Sequence, residues 1–316
     1  MSISEYCVES YLRDGYVILE RVLSPELLAA ALQAFERVYP TWEEYQSGAR
    51  SLRDGSGPIG DVHGPFSETA LNAVATHPTL LAFARRVIGV SSLSLRNSHL
   101  SAKYYGFADY DQFHHCDFGM HTLTYPRDDS TYHILAAIVY YTDVSLELGP
   151  TCVLPHDVTR RQFETPFAGR SGVGRSPFGG SNLRWQLVRS EHPQLYEQEV
   201  PVIVPAGSAL LYNIRTFHRG TAFSGEGARF AHFLTYYSAN HAWTGLQGWG
   251  RFGAEEGMQH FLSSATPPER ELVGFPGPGD PFWNEETLRG VAARYPAMDM
   301  TPYRTATPGA HDRGRA

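Results

Sequence analysis

The chain has 316 residues, 42% of them hydrophobic, enough for a sizeable core in one large domain with insertions. A formal net charge of −7 argues against a general affinity for nucleic acid or for an anionic membrane surface. Three cysteines (Cys7, Cys116, Cys152) with no Cys-x-x-Cys pair argue against a disulfide framework and against a structural zinc site. Neither a secretion signal nor a run of about 18 apolar residues is visible, so a cytoplasmic enzyme is expected.

In chain order, residues 1–90 read as a mainly helical part. Residues 5–38 read as helix, strand, helix, with Tyr16–Leu19 as a short buried strand after the Asp14-Gly15 turn. Ser24 is a natural N-cap, Pro25 suits the first helical position, and Pro40 ends that helix. Residues 41–66 are polar and glycine-rich and read as a loop. Apolar spacing predicts helices over Thr69–Ala75 and Pro78–Ile88. From Ser91 onward strand signals dominate: Leu93–Arg96, Leu100–Tyr105, His133–Thr142, Thr151–Leu154, Val200–Val204, Ala209–Asn213 and Arg229–Tyr237. The expected fold is mainly β with flanking helices, a double-stranded β-helix of the jelly-roll, cupin-like kind, its core over 91–240 in a single domain spanning 1–316. The glycine-rich insertion 156–199 reads as a lid. The extension 241–316, rich in Trp, Phe and Pro, is expected to pack on the barrel, with its last dozen residues disordered.

The chemistry centres on the stretch from Lys103 to Asp117, which ends His115-Cys116-Asp117. A histidine and a carboxylate two apart on an extended strand project to the same side and can meet one metal ion. Two protein ligands are too few, and the best third is His218. Two histidines and a carboxylate on one face of a metal form the triad of non-haem Fe(II) oxygenases. Three features support that reading. Arg229, eleven residues after His218, opens a strand and can hold a dicarboxylate through a bidentate pair. Pro205-Ala206-Gly207 turns between two apolar runs that lead to His218. Gly149-Pro150 precedes a short strand, Thr151–Leu154.

On these residues the chain resembles the phytanoyl-CoA dioxygenase-like Fe(II)/2-oxoglutarate oxygenases, from about residue 8 to residue 240. The segment Tyr11–Glu20 looks like that family's opening. The resemblance implies Fe(II) held by His115, Asp117 and His218, with 2-oxoglutarate and O2 as cosubstrates and succinate and CO2 as products. Arg229 would take the far carboxylate of 2-oxoglutarate. Lys103, the chain's sole lysine, stands twelve residues before His115, where family members often carry one, and is a candidate contact for cosubstrate or substrate. Related halogenases replace the triad carboxylate with Ala or Gly, so Asp117 implies a hydroxylase acting on an unactivated C–H bond. Desaturation, epimerisation and cyclisation run on the same centre. Two departures stand out: Pro155-His156-Asp157 replaces a common Pro-Gly-Ser-His, and Ala231 replaces a frequent Ser or Thr two residues after the arginine.

Other residues carry weaker signals. Tyr104, Thr142, Tyr212 and Thr235 are candidates for the pocket wall, Thr142 also as a cosubstrate contact. His114 should face away from the metal, Cys116 should be a packed thiol, and His232 a packed histidine. The insertion carries Arg160, Arg161, Arg170, Arg175, Arg184 and Arg189 with Phe163, Phe167, Phe178 and Trp185, a pattern that would draw an anionic small-molecule substrate, such as a specialised metabolite. Two alternatives stay open: a cupin-like metalloenzyme without 2-oxoglutarate, and a non-catalytic β-sandwich binding module.

Overall fold

The computed structural model describes residues 4–54, 57–58, 60–107, 110–118, 122–125, 127, 130–162, 186–240, 253, 256–271 and 273–305. Its strands are β1 (Tyr16–Leu19), β2 (Arg53–Asp54), β3 (Gly57–Pro58), β4 (Val62–His63), β5 (Leu93–Tyr104), β6 (His114–His115), β7 (Leu135–Tyr140), β8 (Thr151–Val153), β9 (Gln186–Leu187), β10 (Val200–Pro201), β11 (Ala209–Asn213), β12 (His218–Gly220) and β13 (Ala228–Ser238). A six-stranded sheet runs β1-β11-β7-β13-β5-β4, and a five-stranded sheet runs β10-β8-β12-β6-β9. Every pairing is antiparallel. These face-to-face sheets with their flanking helices form the expected double-stranded β-helix. More of the described residues lie in helix than in strand, so "mainly β" overstates the sheet.

The larger sheet is the spine because it is buried on both faces. In β7 all six residues are buried, and they alternate between two cores. Leu135, Ala137 and Val139 pack toward the helices, while Ala136, Ile138 and Tyr140 pack into the space between the sheets. A strand covered on both sides reads as an unbroken apolar run, here Leu-Ala-Ala-Ile-Val-Tyr. The helical layer comprises α1 (Glu5–Asp14), α2 (Pro25–Val38), α4 (Thr69–Ala75) and α5 (Pro78–Ile88), with the short α3 (Trp42–Ser47) between α2 and α4 in the chain. Ser24 caps α2 by accepting from the Leu27 amide, with Pro25 in the first turn.

Several boundaries move. The predicted 93–96 and 100–105 strands are one, because β5 pairs along its whole length with β13, with a single irregularity at Thr235/Tyr236. The 41–66 loop contains α3, held by a capping box between Thr41 and Glu44, and the edge strand β4. The Lys103–Asp117 stretch is not one strand: β5 ends at Tyr104, and β6 begins only at His114. Of the insertion 156–199, helix His156–Gln162, β9 and helix Pro193–Tyr196 are described, whereas residues 163–185, with three of its six arginines and with Phe163, Phe167, Phe178 and Trp185, lie outside the described residues. The final dozen residues also lie almost wholly outside them. Among the described residues no helix is long and apolar enough to cross a membrane.

The described part of the C-terminal extension packs against the sheets and their loops. Leu262, Phe275, Val291, Tyr295 and Tyr303 share a core with Phe118, Leu123, Tyr125 and Ile134. Helix Glu285–Arg294 reaches this core through Gly290, where an added Cβ would lie 2.3 Å from Tyr125 Cγ. Alanine is the better helix former by about 1 kcal/mol, but overpacking typically costs about 1–3 kcal/mol. Gly290→Ala is therefore expected to lower stability by about 1 kcal/mol, and a denaturant titration at unchanged slope would read it; a stabilised variant would mean that this helix docks loosely.

Candidate active site

The two sheets meet over the site. β12 pairs with β6 so that His218 stands directly opposite His115. Their ring centroids are 4.6 Å apart. Asp117 lies in the turn just beyond β6 and aims its carboxylate at both: Oδ1 is 3.8 Å from His115 Nε2, and Oδ2 is 3.5 Å from His218 Nε2. One donor atom from each residue lies within 4.8 Å of the others.

The histidine tautomers follow from the backbone. His115 Nδ1 lies 2.9 Å from the Phe113 carbonyl and His218 Nδ1 3.1 Å from the Thr216 carbonyl. A carbonyl only accepts, so both Nδ1 atoms carry the proton and both Nε2 lone pairs face the cluster. Tyr212 donates to Asp117 Oδ2 at 2.6 Å and leans its ring on His218 at 4.7 Å. Burial, with Asp117 adding to it, pushes the Tyr212 phenol far up, which keeps it a donor. Two imidazole nitrogens and one carboxylate oxygen, oriented from behind by two carbonyls and a phenol, suit a divalent ion of the Fe(II) type.

These residues border a cavity of about 660 Å3 that also reaches Lys103, Tyr110, Gln112 and Arg229. Arg229 is buried. One Nη donates to the Gly149 carbonyl, while Nε is buried without a hydrogen-bond partner. Among the described residues no carboxylate pairs with it. Lys103, opposite Arg229 in the β5–β13 ladder, donates to the Thr221 carbonyl at 2.8 Å. Thr142 is not at the cavity: its hydroxyl accepts from the Phe230 amide at 3.1 Å. Tyr104 is also absent from the wall, being fully buried with its hydroxyl on the Pro40 carbonyl. Tyr212 and Thr235 do line it.

Residues around the triad have structural partners. Cys116 is buried with its thiol on the Arg215 carbonyl, and burial pushes that thiol well up. His232 bridges Ser98 and Tyr141 at 2.8 Å each, and burial lowers its imidazole to about 3. His156, at the departure from the family pattern, braces the loop that carries His218. Thr216 gives its hydroxyl proton to the Gly15 carbonyl, so it must accept from His156 Nε2 at 3.1 Å. Gly15 has φ +80° and lies so close that any Cβ would collide with that imidazole.

His114 does face away from the triad. It gives Nε2–H to Glu199 at 2.7 Å, and Glu199 also receives both arms of Arg219, each at 2.7 Å. Glu199 carried no motif, and only its pairing with the neighbours of His115 and His218 reveals it. Gln112, Tyr110 and Thr151 were also missed, as were His63, Asn97 and His99 farther out. Counting back from Lys103 by twos along β5 would have found Asn97, His99 and Ser101, three more of the cavity's residues.

Two outcomes follow. Tyr212→Phe keeps the ring but loses the donor, and should weaken Fe(II) binding about tenfold in a metal titration with the fold intact; unchanged affinity would mean that the phenol does not orient Asp117. For Glu199, burial alone would raise the carboxyl, but bonds and charge from Arg219 and His114 hold it near 2, below its usual 4.5. A depressed carboxylate stabilises the fold fully above about pH 4.5, and the stabilisation is lost as pH falls toward 2. Glu199→Gln should cost about 2 kcal/mol at neutral pH and leave a shallower stability loss across that window in acid unfolding curves.

Among curated protein sequences none matches. Solved structures do. The epimerase SnoN, in complex with Fe3+, alpha ketoglutarate and nogalamycin RO, is 23% identical over 74% of this chain and 83% of its own, with a TM-score of 0.52. EctD from S. alaskensis is 17% identical over 75% of this chain and 78% of its own, with a TM-score of 0.54. HygX from Streptomyces hygroscopicus, with nickel and 2-oxoglutarate bound, is 16% identical over 75% of this chain and 88% of its own, with a TM-score of 0.50. At such identities the likeness concerns the fold. The phytanoyl-CoA dioxygenase (PhyH) family model, however, matches residues 11–231, more than half of the chain. The chain belongs to the phytanoyl-CoA dioxygenase family and is an Fe(II)- and 2-oxoglutarate-dependent oxygenase.

Proposed function

We propose that this oxygenase hydroxylates an unactivated C–H bond of a small-molecule specialised metabolite, with His115, Asp117 and His218 holding Fe(II) and Arg229 holding the distal carboxylate of 2-oxoglutarate. The observation that carries the reading is Arg229. A buried guanidinium with an unpartnered Nε and no carboxylate among the described residues is costly unless an anion completes it. Its position on the cavity wall beside the triad calls for a dicarboxylate long enough to reach from one to the other.

Bound Fe(II) and 2-oxoglutarate would supply the oxidising power, with O2 reduced as 2-oxoglutarate becomes succinate and CO2. The protein's own residues orient and exclude. Tyr212 fixes the Asp117 carboxylate, and the Phe113 and Thr216 carbonyls fix the two imidazoles. Thr151 offers the hydroxyl that Ala231 does not. Tyr140 donates to Thr151 Oγ1 at 3.0 Å, which leaves the Thr151 proton free to turn to a ligand in the cavity. Hydroxylation is favoured over halogenation because Asp117 keeps the carboxylate that a halide would have to replace.

The decisive measurement is an anaerobic titration with Fe(II) and 2-oxoglutarate, read by the weak visible charge-transfer band of their complex on the protein. His218→Ala should abolish the band and iron-dependent turnover; full activity in a folded His218→Ala protein would sink the triad. Arg229→Ala should raise the 2-oxoglutarate requirement about tenfold or more, the scale of one charge-assisted pair. Arg229→Lys should recover only part, because lysine lacks the fork. An unchanged requirement in Arg229→Ala would assign that carboxylate to another residue.

A further inference from the structure

The cavity is longer than its iron end. The β5–β13 ladder sets Lys103 opposite Arg229, Ser101 opposite Ala231, His99 opposite Phe233 and Asn97 opposite Thr235. Alternate residues of a strand share a face, so Lys103, Ser101, His99 and Asn97 line the cavity in one row. His99 stands four residues, roughly 13 Å along the strand, from the Lys103–Arg229 pair. It is near enough to the triad to sense the charge of Asp117.

The outer half is built around His99. Its ring lies parallel on Phe233, with centroids 4.8 Å apart and planes 4° from parallel. Asn97 Nδ2 meets His99 Nδ1 at 2.8 Å. The amide donates, so Nδ1 accepts and the imidazole proton sits on Nε2. That proton faces Asp61, whose Oδ2 is 3.9 Å from Nε2. On the edge strand, His63 stands opposite His99 with the rings 5.3 Å apart. Burial pushes the His99 imidazole below its ordinary range and His63 adds to this, against the pull of Asp61 and Asp117. His99 is thus a neutral donor beside a carboxylate acceptor.

A donor and an acceptor 3.9 Å apart are too distant to satisfy each other. A single hydroxyl group seated to one side of the pair, about 2.8 Å from each, can accept from Nε2–H and donate to the Asp61 carboxylate. An anion would meet Asp61, the one formal charge among the described residues of this outer half. An ammonium would meet the Nε2–H with the wrong polarity. We infer that Asp61 and His99 bind a neutral, hydroxyl-bearing part of the substrate, of polyol or sugar-ring type, with Phe233 as the flat wall beside it. This rests on reading the inner half as the iron and 2-oxoglutarate site, and it replaces the anionic substrate that the arginine-rich insertion suggested.

The full-length protein, loaded with redox-inert Zn(II) and 2-oxoglutarate, should be screened by ligand-observed NMR. The probes are a panel of neutral glycosides and polyols, a panel of alkylamines, and a panel of carboxylates with acyl-CoA thioesters. Members of the neutral panel should bind, and their apparent Kd should rise about tenfold or more in Asp61→Ala and in His99→Phe, which keeps the stack on Phe233 but removes the donor. Asp61 is half exposed at the rim, so its variant is a fair test even if His99→Phe fails to fold. Preferential binding of the amines or of the anions overturns the inference. So does a neutral panel that does not bind, or one whose binding is indifferent to Asp61→Ala. Loss of 2-oxoglutarate binding by the unaltered protein would instead undo the reading of the inner half, so the two failures are distinguishable.

Discussion

The site depends on one backbone register: His218 opposite His115, where β12 meets β6 in the smaller sheet. About a hundred residues separate the two histidines in sequence, and a slip of one position would turn either to the opposite face. Each imidazole then uses the carbonyl two residues upstream to fix its tautomer, so strand geometry sets both position and protonation. The larger sheet makes this register affordable. Its central strand is buried on both sides and anchors β11, which carries Tyr212 and runs on into the loop before His218. His156 and Gly15 close that loop from outside, tying it to the first helix and strand. Rigidity at the triad therefore comes from segments at both ends of the matched region, not from the triad strands, which are only two and three residues long.

How much of this was legible depended on how local the cause was. The helices over 69–75 and 78–88 and strand 209–213 were readable to the residue because apolar spacing is a local signal. His115, Asp117 and His218, which the structure brings together, and Arg229 on the cavity wall beside them stood out because their order and spacing resemble a family. β12 was missed as a strand, and the strand expected through His115 and Asp117 stops at His115: both are too short to show a period, and each is held by partners distant in sequence. Thr142 was misjudged for a related reason. Standing next to a cavity-lining strand, it spends its hydroxyl on the Phe230 amide of β13, and no sequence pattern distinguishes a residue that faces a cavity from one that joins two strands. Glu199 was invisible because its significance lies wholly in its partners.

Two arginines make the difference between holding a fold and holding a ligand concrete. Arg219 and Arg229 are both buried beside the site, at 4% and 6% exposure. Arg219 points to the back of the smaller sheet, where Glu199 takes it in a two-armed pair and Asp111 lies 3.2 Å from its third nitrogen. Its Nη1, like Arg229 Nε, makes no hydrogen bond, but its charge is met within the protein by two carboxylates. Arg229 points to the front and meets only a carbonyl. Burial pulls its guanidinium down from the ordinary arginine range, while Arg219 is held above it despite burial. The uncompensated charge is tolerable on the cavity side, where an anion can arrive. The same contrast divides the cavity along its length: at the inner end stands a buried cation with no carboxylate among the described residues, and at the outer end an imidazole nitrogen and a carboxylate lie 3.9 Å apart. On the proposed reading of the two ends, the negative charge belongs to the cosubstrate and the substrate is neutral.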